Sequence, residues 1–156
     1  MSVYAIHPAK PPSEVEWEEL LVRYELGPRA LRAALDDGVT DGAASERVGD
    51  LLRALVVNEL LVTEIFAAMR DDRPVLHEPR IEVMSAEPRA AYERYAALRG
   101  RNFAAVQRRG LEVWRWRAEA PGIGPVTAHQ LILASTALDG ATLAGVREAL
   151  RGAGAC

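Results

Sequence analysis

A chain of 156 residues, 49% of them apolar, has enough hydrophobic side chain for one buried core and little room for a second. Its formal net charge of -3, with Lys10 the only lysine, argues against nucleic acid as a partner, because such proteins present a basic face to phosphate. The sole cysteine, Cys156, allows no intramolecular disulfide, as expected of a cytoplasmic protein.

Residues 1–12 carry Pro8, Pro11 and Pro12 and read as an extended arm. No basic start followed by an apolar run marks a signal peptide. Ser13 and Glu16 form a capping box, and Trp17, Leu20, Leu21, Tyr24, Leu31 and Leu35 then recur at helical spacing up to Asp36. Gly27-Pro28 is expected to kink this helix, since proline lacks an amide hydrogen and crowds the preceding turn. Asp37 to Ala44 reads as a loop. The second helix is expected from near Ser45 to Arg70, closed by Asp72-Arg73-Pro74. Its most apolar stretch, Leu51 to Met69, is interrupted by Arg53, Asn58, Glu59 and Glu64, so it reads as a core helix and not a membrane span.

Residues 71–85 show no period. A third helix is expected from Ala86 to Pro88 onward, capped by Ser85, carrying Tyr92, Tyr95, Leu98, Phe103 and Val106, and stopping at Gly110. Leu111 to Val126 reads as a connection holding Trp114, Trp116 and the turn Gly122-Ile123-Gly124-Pro125. Thr127 and Gln130 make a second capping box, opening a fourth helix with Leu131, Leu138, Leu143, Val146 and Leu150. Residues 152–156 read as a flexible tail. Four helices and no strand give an all-α, four-helix bundle over residues 13–151. The 71–85 linker spans about 50 Å at ~3.3 Å per residue, enough to run back along the second helix and leave helices two and three parallel. The linker before helix four is equally long, so spacing leaves both paths open.

Glu59 is the sharpest chemical feature. Val48, Leu52, Leu55, Glu59, Val62 and Phe66 alternate at three and four residues, one apolar stripe with a carboxylate in its middle. A buried carboxylate must be paired, hydrogen-bonded, protonated or bound to a metal. The plainest partner is a tyrosine or arginine of a neighbouring helix; a ligand or catalytic role is the sharper reading. The three histidines, His7, His77 and His129, include no i, i+3 or i+4 pair of the kind that ligates an ion from one helix face. His129, in the first turn of helix four, reads as a cap-region or surface residue and His77 as a loop residue. Trp114 and Trp116 are expected to pack a loop over the bundle end; alternating with Arg115 and Arg117, they also suit a pocket mouth. The arginine pairs Arg99/Arg101 and Arg108/Arg109 read as solvated helix faces. Ala134, Ala137, Ala141 and Ala144, with Gly140 and Gly145, form a small-residue face on helix four that invites close packing.

Three stretches carry a family resemblance: Gly27 to Leu35 in the first helix; Arg53 to Glu64 followed by Arg73-Pro74; and Leu98 to Asn102 with Gly124 to Thr127 and Leu138 to Leu143. In order and spacing they resemble the DinB/YfiT-like superfamily over nearly the whole chain. The resemblance implies an up-down-down-up bundle with a long crossover between helices two and three, and commonly a homodimer. It also implies a divalent metal such as zinc or nickel, held by one histidine of helix two and a His-x-x-x-His pair of helix four, serving thiol-dependent transferases and isomerases. In this chain those three positions fall on Glu59, Leu138 and Thr142, of which only Glu59 is a good ligand. The reading is therefore a bundle with no metal cofactor that acts by binding, as a homodimer or on a small-molecule ligand, with no membrane partner. The alternative is a metal- or thiol-dependent transferase or isomerase built on Glu59 with Asp139 or His129. A pocket would gather Glu59, Asp139, His129, Trp114 and Trp116.

Overall fold

The computed structural model describes residues 11–38, 42–75, 87–109, 112–113 and 116–153. Its elements are the helices α1 (Glu14–Asp37), α2 (Gly42–Arg70), α3 (Pro88–Gln107) and α4 (Ala128–Ala153), with strands β1 (Arg117–Ala120) and β2 (Gly124–Thr127) between α3 and α4. The result is an all-α helical bundle with one small hairpin attached.

Three of the four helices begin where a side chain satisfies the amides that have no partner inside the helix. Ser13 Oγ accepts from the Glu16 amide at 3.2 Å while Glu16 accepts from the Ser13 amide at 2.7 Å. Thr127 and Gln130 repeat this exchange at the head of α4, at 3.1 and 2.9 Å. For α3 the cap is Glu87, whose carboxylate takes the amides of Arg89 and Ala90, followed by Pro88 in the first turn. The cap is therefore Glu87 and not Ser85, which lies outside the described residues. Several boundaries shift: α1 ends at Asp37 and α2 starts at Gly42, both inside the stretch read as a loop, α3 ends at Gln107, short of Gly110, and α4 runs on to Ala153, into the expected tail.

The strands correct the strand-free reading. β1 and β2 pair antiparallel with Arg117 opposite Thr127 and Ala120 opposite Gly124. Gly122 and Gly124 adopt φ of 73° and 87°, backbone angles that glycine takes without strain, and so turn the chain between them. Four residues on each side are too few to show an alternating pattern, which hid the hairpin in the sequence. Ala120 and Val126 point into the core, and Val75 donates to Glu119 O at 3.3 Å, fastening the chain after α2 to the hairpin.

The helices touch at residues that fix their register. Asp36 near the end of α1 meets Arg89 at the start of α3 at 2.9 Å, and Pro28 O accepts from Tyr92 Oη at 3.0 Å. Thr63 of α2 bonds Asn102 of α3 at 2.9 Å. Asn58 of α2 bonds Ser135 of α4 at 3.0 Å, and Leu51 packs on Gly145. Trp17 of α1 lies against His129 of α4, and Gly38 against Leu150. Every residue of the α2 stripe from Val48 to Phe66 is buried.

The apolar core falls into two clusters. One gathers Trp17, Leu20, Phe66, Val106, Val126 and Leu131; the other gathers Leu31, Leu52, Leu55, Tyr92, Leu98 and Val146. Between them lies a polar layer. No helix among the described residues is long and apolar enough to cross a membrane.

Candidate functional site: a buried ion layer

Glu59 is fully buried, and so is the residue that answers it, Arg99 of α3. On α3, Tyr92, Tyr95, Arg99, Asn102 and Val106 share the inward face at alternating spacings of three and four, so Arg99 points between the helices. Its guanidinium has five N–H donors and all five are used. Nε and Nη2 donate to Glu59 Oε1 at 3.0 and 2.8 Å. Nη1 and Nη2 donate to the two carboxylate oxygens of Asp139 on α4 at 2.7 and 2.9 Å. The fifth bond runs from Nη1 to the backbone oxygen of Tyr24 on α1 at 2.8 Å.

That backbone oxygen is free because of Pro28. A helix carbonyl normally accepts from the amide four residues on, and for Tyr24 that residue is proline, which has none. α1 continues through Pro28 as one helix, and the vacancy in its ladder is filled by Arg99. Gly27 completes the notch. A Cβ there would collide with the Asp139 carboxylate and approach Arg99 Nη1 to 3.1 Å. The pair Gly27-Pro28 thus opens α1 to the ion layer.

The carboxylates are saturated from the other side as well. Glu59 Oε2 accepts from Tyr24 Oη at 3.0 Å and Asn102 Nδ2 at 2.8 Å. Asp139 Oδ1 accepts from Tyr95 Oη at 2.7 Å. Asn102 is itself fixed by Thr63. The guanidinium carbon lies 4.0 Å from the centre of the Tyr24 ring and 5.1 Å from that of Tyr95, so aromatic faces sandwich the charge. One cation against two anions leaves a formal excess of one negative charge, which the two phenol hydroxyls and the Asn102 amide disperse.

Burial pushes both tyrosines well above the ordinary phenol range, and the neighbouring carboxylates push in the same direction. Burial by itself would lower Arg99, but Glu59 and Asp139 outweigh it and raise its affinity for the proton. Asp139 is raised by burial against the opposing pull of Arg99. The layer is a fully hydrogen-bonded clasp joining all four helices.

Of the residues expected to form a pocket, Glu59 and Asp139 come together, but around Arg99 and not around a cavity. His129 sits apart, its ring 6.1 Å from that of Trp17. Trp116 stands where the chain enters the hairpin, half-buried against the core, with Arg109 over its ring at 5.3 Å. Trp114, His7 and His77 lie outside the described residues. Arg99 is the correction of greatest weight: expected on a solvated face, it is among the largest fully buried side chains. Asp139 is 6% exposed and forms the floor of a groove of about 500 Å³ between α1 and α4, lined by Leu26, Ala30, Leu133 and Leu143. On the small-residue face of α4, Gly145 is tightly packed by Leu51, while Gly140 has open space where a Cβ would stand.

The donor set does not fit the divalent ion that the family resemblance implies. Both oxygens of Glu59 are committed to Arg99, Tyr24 and Asn102. Leu138 packs against the second apolar cluster and offers no ligand atom, and Thr142 is a buried hydroxyl. Among the described residues, no group of three or more His, Cys, Asp or Glu is placed to hold a metal. A cation brought near Glu59 would meet the guanidinium first. Comparison with family models, with curated proteins and with solved structures returns no match.

Proposed function

We propose that this chain is a DinB/YfiT-like bundle in which an arginine has taken the place of the metal cation, and that it acts by binding and not by metal catalysis. The observation that carries the reading is the Arg99 guanidinium held between Glu59 and Asp139 with all five of its donors in use. Glu59 is the helix-two ligand position of the resemblance, and Asp139 lies between the two helix-four positions, Leu138 and Thr142. A permanent positive charge there occupies the carboxylates that would otherwise attract a divalent ion. The up-down-down-up path is supported by the contacts. Residues 17, 27 and 38 of α1 meet 129, 139 and 150 of α4 in rising order, while 51 and 58 of α2 meet 145 and 135 in falling order.

A second copy of the chain is the partner this reading implies. Val15, Val22 and Leu26 stand exposed along one side of α1, the last of them at the rim of the groove beside α4. Light scattering on the purified protein measures the dimer directly, and a monomer at micromolar concentration would remove that part of the reading.

The test of the main reading is metal content by mass spectrometry together with a thermal-shift titration using zinc, nickel and manganese. The expected result is substoichiometric metal and no rise in melting temperature with any of the three ions. A near-stoichiometric ion that raises the melting temperature would overturn the reading, because binding to the folded state alone must stabilise it.

A further inference from the structure

Between the last turns of α2 and α3 runs an open trough of about 430 Å³ edged by arginine: Arg70 from α2, and Arg101, Arg108 and Arg109 from α3 and the turn that follows it. The helical pattern builds it. Thr63, Ala67 and Arg70 stand at i, i+4 and i+7 on α2, and Arg101, Ala105 and Arg108 at the same spacing on α3 and its C-cap. The two alanines leave the depression and the arginines border it. Trp116 forms a further wall, with the Arg109 guanidinium over its ring.

The charges on this rim are unbalanced. Arg70 is held by Asp71 at 3.0 Å. Among the described residues no carboxylate pairs with Arg101, Arg108 or Arg109; other exposed arginines such as Arg94 and Arg147 also lack one, and what sets this rim apart is that its arginines line one depression. The dipole at the end of α3 favours cations at Arg108 and Arg109. The end of α2 favours Arg70 in the same way, but neither dipole accounts for Arg101, nearly two turns before Arg108. Three guanidinium groups with no carboxylate partner among the described residues, converging on one depression in a chain of net charge -3, form a local field that attracts anions.

We propose that this trough is a binding site for a small organic phosphate carrying two or more negative charges. Arg101 and Arg108 hold its phosphate oxygens, and its remaining atoms lie against Trp116. Guanidinium groups bind phosphate through paired, charge-assisted hydrogen bonds. The volume suits a small molecule. A nucleic-acid strand would need a longer basic track than one trough supplies. The site borders the ion layer, sharing Thr63 and Asn102 with it, while its arginines are not those of the layer, and it stands independently of the family reading.

The experiment is calorimetric titration of the full chain with ADP and with inorganic pyrophosphate near physiological salt, with adenosine as the uncharged control. ADP or pyrophosphate is expected to bind saturably and adenosine not to bind. Arg101→Ala/Arg108→Ala, whose wild-type side chains are exposed, is expected to keep its melting temperature and to weaken binding by about tenfold or more. Arg147→Ala, an exposed arginine of α4, should leave affinity unchanged. No saturable heat from either phosphate compound overturns the proposal. So does an unchanged dissociation constant in the double variant, or an equal loss in Arg147→Ala, which would mark diffuse attraction to surface charge.

Discussion

Arg99 carries more consequence than any other side chain in the molecule. Arg99→Met would leave Glu59 and Asp139 buried without a counter-charge, a loss of about 3–5 kcal/mol, read as a large drop in the urea midpoint. A change below about 1 kcal/mol would mean the two carboxylates find water or protons at little cost. The tyrosines beside them give a test by pH. The phenols of an unfolded chain ionise near pH 10, while Tyr24 and Tyr95 keep their protons in the folded state well above that. The folded state therefore binds more protons above that pH, so their contribution is fully present below about pH 10 and falls away as pH rises beyond it. Urea midpoints measured from about pH 8.5 to 11 should fall more steeply for the wild type than for Tyr24→Phe/Tyr95→Phe, and parallel slopes would refute the assignment. At this scale Glu59 was legible, because a carboxylate inside an apolar stripe demands a partner and tyrosine or arginine was the plainest one. Arg99 was not, because its neighbour Arg101 made the pair look like a solvated face. The signal was present in its spacing from Tyr95 and Asn102, which puts it on the buried side of α3.

Among the elements, α1 shows how two residues usually classed as helix breakers serve a helix that does not break. Glycine inside a helix ordinarily costs about 1 kcal/mol relative to alanine, so Gly→Ala should stabilise. Gly27→Ala should instead destabilise by about 1–3 kcal/mol, since its Cβ would run into the Asp139 carboxylate. Gly140→Ala, with open space at its Cβ position, should follow the ordinary rule and gain about 0.5–1 kcal/mol. Thermal melts of the two variants are expected to move in opposite directions, and movement in the same direction would dissolve the distinction. The helices and their inward stripes could be read from spacing and capping boxes because those patterns are local. The purpose of Gly27-Pro28 could not be read that way: the group that uses the freed Tyr24 oxygen comes from residue 99, and nothing local announces it. The hairpin was missed for a related reason, its strands being too short for alternation to emerge.

Across the whole molecule, a polar layer divides the apolar core into two clusters. Such a layer is weak evidence of stability, since replacing a buried ion network by well-packed hydrocarbon is often neutral or favourable by about 1–4 kcal/mol. Its value is geometric. Each helix can satisfy its member of the network in one axial register only, whereas apolar stripes tolerate sliding by a turn. Conversion of the layer to hydrocarbon, by Glu59→Leu, Arg99→Met and Asp139→Leu with Tyr24→Phe, Tyr95→Phe and Asn102→Leu, should therefore leave stability near or above that of the wild type. The same variant should narrow the amide dispersion in its NMR spectrum. Full dispersion in a stable variant would show that packing alone sets the register.

The cation at the centre of this layer has a further property, set by how it reaches the protein. It arrives covalently, when residue 99 joins the growing chain, so this charge draws on no cellular store of ions and waits for no delivery step. Chelators cannot strip it, competing ions cannot displace it, and dilution cannot empty it. Where a coordinated ion would give the molecule a filled and an empty form, a guanidinium gives it one, and only a change to the codon can alter the occupancy.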